Sequence, residues 1–315
     1  MVHARTFSFT DNSINVAFPS PSPKDSTPRP ITTSQSSDPA LLLFQLRRAQ
    51  SFWYQELYQS HAAGPLQDPT RYVWQMCFEM RDWGESLPST LPPAIRQVFE
   101  QELRYSYVYC IAPSARAPQI SDYHRTVIFE YAAAYLDTMH EIAQGGLNNA
   151  FYTYHDALKV YFMANQLLAV LWDAENMLLS GAPVPMPMHR PGGPPPPPVP
   201  RYHPMNPGMA PPDNLRRSLG CLERVDQTLG KFGERWEESA MLRHSFEGIS
   251  RETMDRLRMR MGAQEAAIDQ QQQRNHFPNG IPMPMGTQGQ QQQGREVRWV
   301  GVDVARMMQG RPPPQ

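Results

Sequence analysis

Residues 39–182 carry five helix signals in succession, each an apolar stripe at spacings of three and four closed by glycine or proline. That pattern predicts a helical scaffold. The first helix opens at Asp38-Pro39, where a carboxylate can cap free N–H groups and proline at the first helical position forfeits no hydrogen bond. Leu42, Leu46, Ala49, Trp53 and Leu57 line its inner face, and Gly64-Pro65 ends it. Asp68-Pro69 repeats the start signal, with Val73, Met76, Cys77, Met80 and Trp83 as the stripe and Gly84 as the stop. A third helix from Pro92-Pro93 carries Ile95, Val98, Phe99, Leu103, Tyr107 and Cys110 until Pro113 interrupts it. Ser121 caps a fourth, which turns Val127, Ile128, Tyr131, Tyr135 and Met139 inward and stops at Gly145-Gly146. The fifth, from about Asn149 to Leu179, places Tyr154, Leu158, Tyr161, Leu168 and Trp172 on one face, widened by Val160, Phe162 and Val170. A helix apolar around most of its circumference belongs at the centre of a bundle.

The 33 prolines cluster, and the clusters divide the chain. Residues 1–38 are a Ser/Thr/Pro-rich loop or tail, and residues 183–212 a Pro-rich linker with five consecutive prolines. The linker is expected to lie outside the core, exposed and mobile, in polyproline II conformations. Helix resumes over 213–262, where Leu215, Leu219, Leu222, Val225, Leu229 and Phe232 share a face and Leu242, Phe246, Ile249 and Leu257 continue it. Residues 263–315, with glutamine tracts at 270–273 and 290–293, read as a Gln/Pro/Met-rich disordered tail. The fold class is therefore all-α, an irregular multi-helix bundle with Pro/Gln-rich disordered segments. Removing those segments leaves roughly 200 residues, enough for one sizeable domain.

A net charge of −1 offers no electrostatic footprint for nucleic acid. Cys77, Cys110 and Cys221, odd in number and far apart, match neither a disulfide framework nor a zinc site, and fit reduced thiols in an intracellular compartment. The N-terminus has no apolar run of signal-peptide type, and Val160–Trp172, interrupted by Asn165 and Gln166, is too short to span a bilayer.

His155-Asp156 is the most catalytic-looking pair, yet adjacent helical residues do not face each other. His61, His124, His140, His155 and His244 have no metal-ligand spacing, and Gly145-Gly146 and Gly192-Gly193 read as a helix end and linker rather than a phosphate loop. Arg47-Arg48 and the run Arg251, Arg256, Arg258 and Arg260 could touch phosphates, but neighbouring acids favour a solvated helix face. Tyr105, Tyr107, Tyr109, Tyr131, Tyr135, Tyr154 and Tyr161 could line a small-molecule pocket, with packing between helices the better reading. No catalytic, cofactor-binding or metal-binding residue is assigned, and no enzyme is expected. The Pro-, Gln- and Met-rich stretches are the expected carriers of partner contact.

FQLRRAQSFWYQELY (Phe44–Tyr58) resembles the opening helix of the C-terminal half of the fungal transcription-factor regulatory domain, the middle homology region that accompanies binuclear zinc clusters. Met80, Trp83, Leu87 and Pro88 are similar to that family's "leucine–x–x–tryptophan…leucine–proline" element. ELRYSYVYCIAPSAR (Glu102–Arg116) resembles the helix ending in an Arg-Pro-Ser corner, with Ala112 where the arginine usually stands. TYHDALKVYFMANQLLAVLW (Thr153–Trp172) resembles the long buried family helix, and Leu215–Phe246, holding Glu234-Arg235-Trp236, the closing segment. The ordered set covers about residues 41–255, and no cluster of six close cysteines accompanies it.

The resemblance implies a nuclear regulator of RNA polymerase II transcription, controlling a metabolic pathway or gene cluster. Zinc is expected only in the missing N-terminal cluster, so no cofactor is assigned. Thr6–Pro23 resembles the loop before the family's C-terminal half, which implies a truncated chain with apolar faces left open. Expected partners are a homo- or heterodimer with zinc-cluster factors and transcriptional coregulators, with DNA reached only indirectly and no membrane. The alternative is a DNA-independent interaction protein that dimerises with or dampens a related factor.

Overall fold

The computed structural model describes residues 39–60, 64–149, 152–188, 191–200 and 213–276. These form α1 (Pro39–Tyr54), a π-helical turn (Gln55–Gln59), α2 (Pro69–Glu85), α3 (Pro93–Ile111), α4 (Asp122–Ala143), α5 (Tyr154–Leu179), α6 (Asn214–Gly233) and α7 (Glu237–His276), with no strand among them. The fold is an all-α multi-helix bundle. Asp38 and the 1–38 tail lie outside the described residues, as does the chain beyond 276.

Local chemistry sets the helix ends. Asp68 accepts from the Arg71 N–H at 3.0 Å with Pro69 behind it, and Asp213 accepts from the Arg216 N–H at 3.0 Å. Thr153 and Asp156 close a capping box at the start of α5, the Thr153 N–H donating to Asp156 Oδ2 at 2.8 Å. α4 ends in a Schellman turn, the Gly146 N–H reaching the Glu141 carbonyl at 3.0 Å and the Gly145 N–H the Ile142 carbonyl at 3.1 Å. Both glycines are required there. Gly145 has φ +99°, and a Cβ on Gly146 would stand 2.7 Å from the Glu141 carbonyl oxygen.

α1, α2 and α3 pack together at one end, α4 and α5 form the middle, and α6 and α7 close the other end. α5 touches α3, α4, α6 and α7. Ala157, Val160, Met163, Ala164, Leu167, Val170 and Leu171 on it are fully shut off from solvent. Of the predicted positions on it, Val160, Tyr161, Phe162, Leu168 and Val170 are buried, whereas Trp172 near its C-terminal end is 37% exposed. Along α6 the predicted stripe is buried throughout, from Leu215 to Phe232. One contiguous apolar core runs from Leu46 to Leu257, crossing the proline-rich segment.

The last helix and the proline-rich segment also depart from the predicted pattern. α7 extends to His276, so the first glutamine tract is helical. Ile249 is exposed, and α7 instead turns Ser239, Phe246, Ser250, Thr253 and Leu257 inward, small hydroxyl side chains allowing close approach. Within the proline run, Pro196 and Pro197 are buried, contrary to the expectation that this segment stays outside the core.

All three cysteines are free and buried. Burial and the neighbouring Cys77 sulfur push the Cys110 thiol well up, and burial and Asp137 do the same to Cys221.

Phe246 is 1% exposed at the junction of α7 with the core. Phe246→Ala is expected to lower unfolding free energy by ~3–5 kcal/mol, shifting one cooperative urea transition rather than splitting it. Urea titration followed by both far-UV dichroism and tryptophan fluorescence checks this.

Candidate functional site

Two concentrations of charge are built into this apolar scaffold, and α5 carries part of each. The first lies where α1, α3 and α5 meet. Glu102 on α3 is 8% exposed and takes Arg47 of α1 on Oε2 at 2.8 Å and Lys159 of α5 on Oε1. Arg47 also donates to Gln50 at 2.7 Å, and Gln50 donates to Ser106 Oγ at 2.6 Å. The Lys159 ammonium stands 5.5 Å from the centre of the Tyr105 ring. Burial alone would raise the Glu102 pKa. Lys159 and Arg47 outweigh it and hold this carboxyl well below the usual carboxylate range.

The second concentration surrounds a break in α5. Ala174 leaves helical geometry (φ −138°, ψ 36°), and the helix kinks there. Charges flank it on both sides. Arg125 of α4 donates to Asp173 at 2.5 Å, while Arg256 and Arg260 of α7 meet Glu175 at 2.5 and 2.6 Å. Arg260 also donates to Asn176 Oδ1 at 2.7 Å, and the Arg256 guanidinium lies 4.7 Å from the Trp172 ring centre. An open cleft of about 560 Å³ follows, lined by Asp122, Trp172, Asp173, Glu175, Arg256 and Arg260 among others. Its carboxylates and guanidiniums are matched to one another, and these pairs tie α4 and α7 to α5 on either side of the kink.

The residues singled out in the sequence are dispersed. Asp156 turns back onto Thr153 in the helix cap, and His155 lies beside the Tyr154 ring. His140 Nδ1 is 3.2 Å from Thr228 Oγ1, His244 is exposed near Glu247, and His61 lies outside the described residues. Among the described residues no three His, Cys, Asp or Glu side chains gather as a metal site would require, and no helix is long and apolar enough to cross a membrane. The tyrosines pack on one another: Tyr105 stacks on Tyr109 at 4.6 Å, and Tyr107 lies 4.8 Å from Tyr131. Arg256 and Arg260, expected on a solvated face, instead bind α7 to α5.

His124 was legible only as a histidine without a ligand pattern. It is 6% exposed, and the Trp74 indole N–H, which can only donate, reaches its Nε2 at 2.9 Å. On the other side of the ring, Nδ1 faces the Ser121 N–H at 3.2 Å and Ser121 Oγ at 3.0 Å, at the cap of α4; a neutral imidazole has one acceptor nitrogen, so the Trp74 and Ser121 N–H groups compete for it. Burial, with Arg125 adding to it, lowers this pKa from 6.5 to about 4. The missed signal was the Ser-x-x-His spacing at a helix start. The buried partners of Glu102 had none, because they come from three separate segments.

Neither a family model, nor a curated protein, nor a solved structure matches this chain.

The unfolded chain takes up a proton on His124 near pH 6.5 and the folded chain only near 4. This contribution is complete above pH 6.5 and is lost as pH falls toward 4, by up to roughly 3 kcal/mol. His124→Gln, which keeps an acceptor for Trp74, is expected to flatten that slope in urea midpoints measured across the window. At the other cluster, Lys159→Met leaves the buried Glu102 carboxylate with Arg47 as its one cation and is expected to cost ~2–4 kcal/mol, while the Glu102→Gln/Lys159→Met double variant recovers part of the loss. A double-mutant cycle in urea measures both.

Proposed function

We propose that this chain is a transcription regulator of the fungal zinc-cluster type, carrying the helical regulatory domain and acting in the nucleus on RNA polymerase II transcription of a metabolic pathway or gene cluster. The observation that carries the reading is continuity across the proline-rich segment. The stretches that resemble the family, Phe44–Tyr58, Glu102–Arg116, Thr153–Trp172 and Leu215–Phe246, all contribute to one core. The Glu234-Arg235-Trp236 element forms the turn between α6 and α7, with Trp236 edge-on to Phe232 at 6.0 Å and under Arg235 at 4.7 Å.

The mechanism is non-catalytic. In this reading the kinked α5, clasped on either side of Ala174 by ion pairs to α4 and α7, is the element whose packing changes. A partner or small effector that binds one packing better shifts the balance toward it. DNA contact then belongs to another module or another protein.

A second reading, a DNA-independent protein that dimerises with or dampens a related factor, is favoured by the outer face of α1. Phe44 and Phe52, two helical turns apart, are 49% and 48% exposed with Arg48 between them. Such an apolar stripe is suited to a protein partner.

Tethering the chain to a heterologous DNA-binding domain upstream of a reporter tests the first reading. A several-fold change in transcription is expected, and an unchanged reporter with a well-expressed, folded fusion would sink it. For the second, Phe44→Glu/Phe52→Glu is expected to abolish co-purification of a zinc-cluster factor while leaving the thermal melt in place.

A further inference from the structure

The chain between α5 and α6 does not need to reach anywhere. Asn214, the first residue of α6, donates through Nδ2 to the carbonyl of Leu178, next to last in α5, at 2.7 Å. The ends of this long connection are therefore held together, and a short turn could replace it. Yet part of it returns to the bundle. Val184 packs against the core on one leg and Val199 on the other. Between them Pro196 and Pro197 are buried, and the Tyr123 hydroxyl donates to the Pro197 carbonyl at 2.7 Å in a buried hydrogen bond. Residues 194–200 have no helix, strand or turn of their own.

Connectivity alone does not require that docking. A proline run brings no N–H group into the core, so burial leaves no unpaired donor, and its carbonyls are the only backbone groups to satisfy. Tyr123, itself 3% exposed, supplies a donor where the run is buried. Fixed φ angles mean little chain entropy is lost on binding. An aromatic hydroxyl donating to the carbonyl of a buried proline is a way of recognising polyproline segments.

We propose that the seat of Pro196-Pro197 beside Tyr123 is a polyproline-recognition site, held in cis by that strap and open to a proline-rich segment of another protein when the strap leaves. The occupant is an extended run of consecutive prolines with an aliphatic residue two positions after the bonded carbonyl, as Val199 follows Pro197. The tether makes the resident segment a competitor at millimolar effective concentration, so the site is closed to weak ligands and open to strong or multivalent ones. Because α5 and α6 remain joined at Leu178 and Asn214, the strap can leave without parting the helices.

The test uses the full chain with residues 194–199 replaced by a Gly/Ser segment of equal length, and a fluorescent GGPPPPPVPR peptide corresponding to residues 192–201. Anisotropy titration is expected to show binding to the replaced chain, ~10-fold or more weaker binding to the native chain, and a ~5-fold loss when Tyr123→Phe is added. No binding to a replaced chain that keeps native dichroism and a cooperative melt overturns the proposal. So does binding that Tyr123→Phe leaves unchanged. If the replaced chain does not fold, a solvatochromic dye on Val199→Cys in the otherwise native chain reads displacement directly: an emission shift at saturating peptide supports the site, and an unmoved dye refutes it.

Discussion

The near-complete enclosure of α5 is the constraint on which the other helices arrange themselves. A helix that buries Val160, Met163, Leu167 and Leu171 completely must have neighbours on several sides, and α3, α4, α6 and α7 supply them. The α1–α2 layer joins through α3. Apolar burial of this kind drives association but is indifferent to register.

Register comes from arginine. Arg217 grips Glu130 with both terminal nitrogens at 3.1 and 2.8 Å, and Arg224 reaches Asp137 two α4 turns onward at 2.7 Å, which fixes α6 against α4. Arg243 holds Asp226 between α7 and α6 at 2.8 Å through each of two nitrogens. The planar fork of a guanidinium matches a carboxylate in one orientation, so such pairs discriminate among helix pairings that a greasy surface would tolerate. Each is a modest source of stability on its own. The half-exposed pairs of α7 contribute least, and Glu102 with its two cations carries the heaviest penalty if it loses one.

Much of this fold is written locally in the chain. Asp68, Ser121 and Asp213 announce helix starts, Gly145-Gly146 a stop, and the Leu215–Phe232 stripe the buried side of α6. What escapes local reading depends on a neighbour remote in sequence. Ser239, Ser250 and Thr253 look like surface residues and are buried, because another helix lies against them. Trp172 looks like core and is a border residue, because it is roofed by Arg256. The π-helical turn at Gln55–Gln59, the kink at Ala174 and the charged hub at Glu102 belong to tertiary packing in the same way. Prolines mislead in the opposite direction: they forbid helix and sheet, and from this one infers solvent, whereas Pro197 needs only a donor for its carbonyl and finds Tyr123.

The stitch between Leu178 and Asn214 also has a consequence for how such a chain can diversify. Closing a loop whose ends already meet becomes harder only logarithmically with its length, each doubling adding roughly 0.6 kcal/mol. Apart from Val184 and the docked 194–199 stretch, this connection can thus be lengthened, shortened or rewritten at little thermodynamic cost to the helices on either side. Over evolutionary time the bundle can stay constant while this segment drifts, and new short linear motifs can be tried there without the scaffold being redesigned.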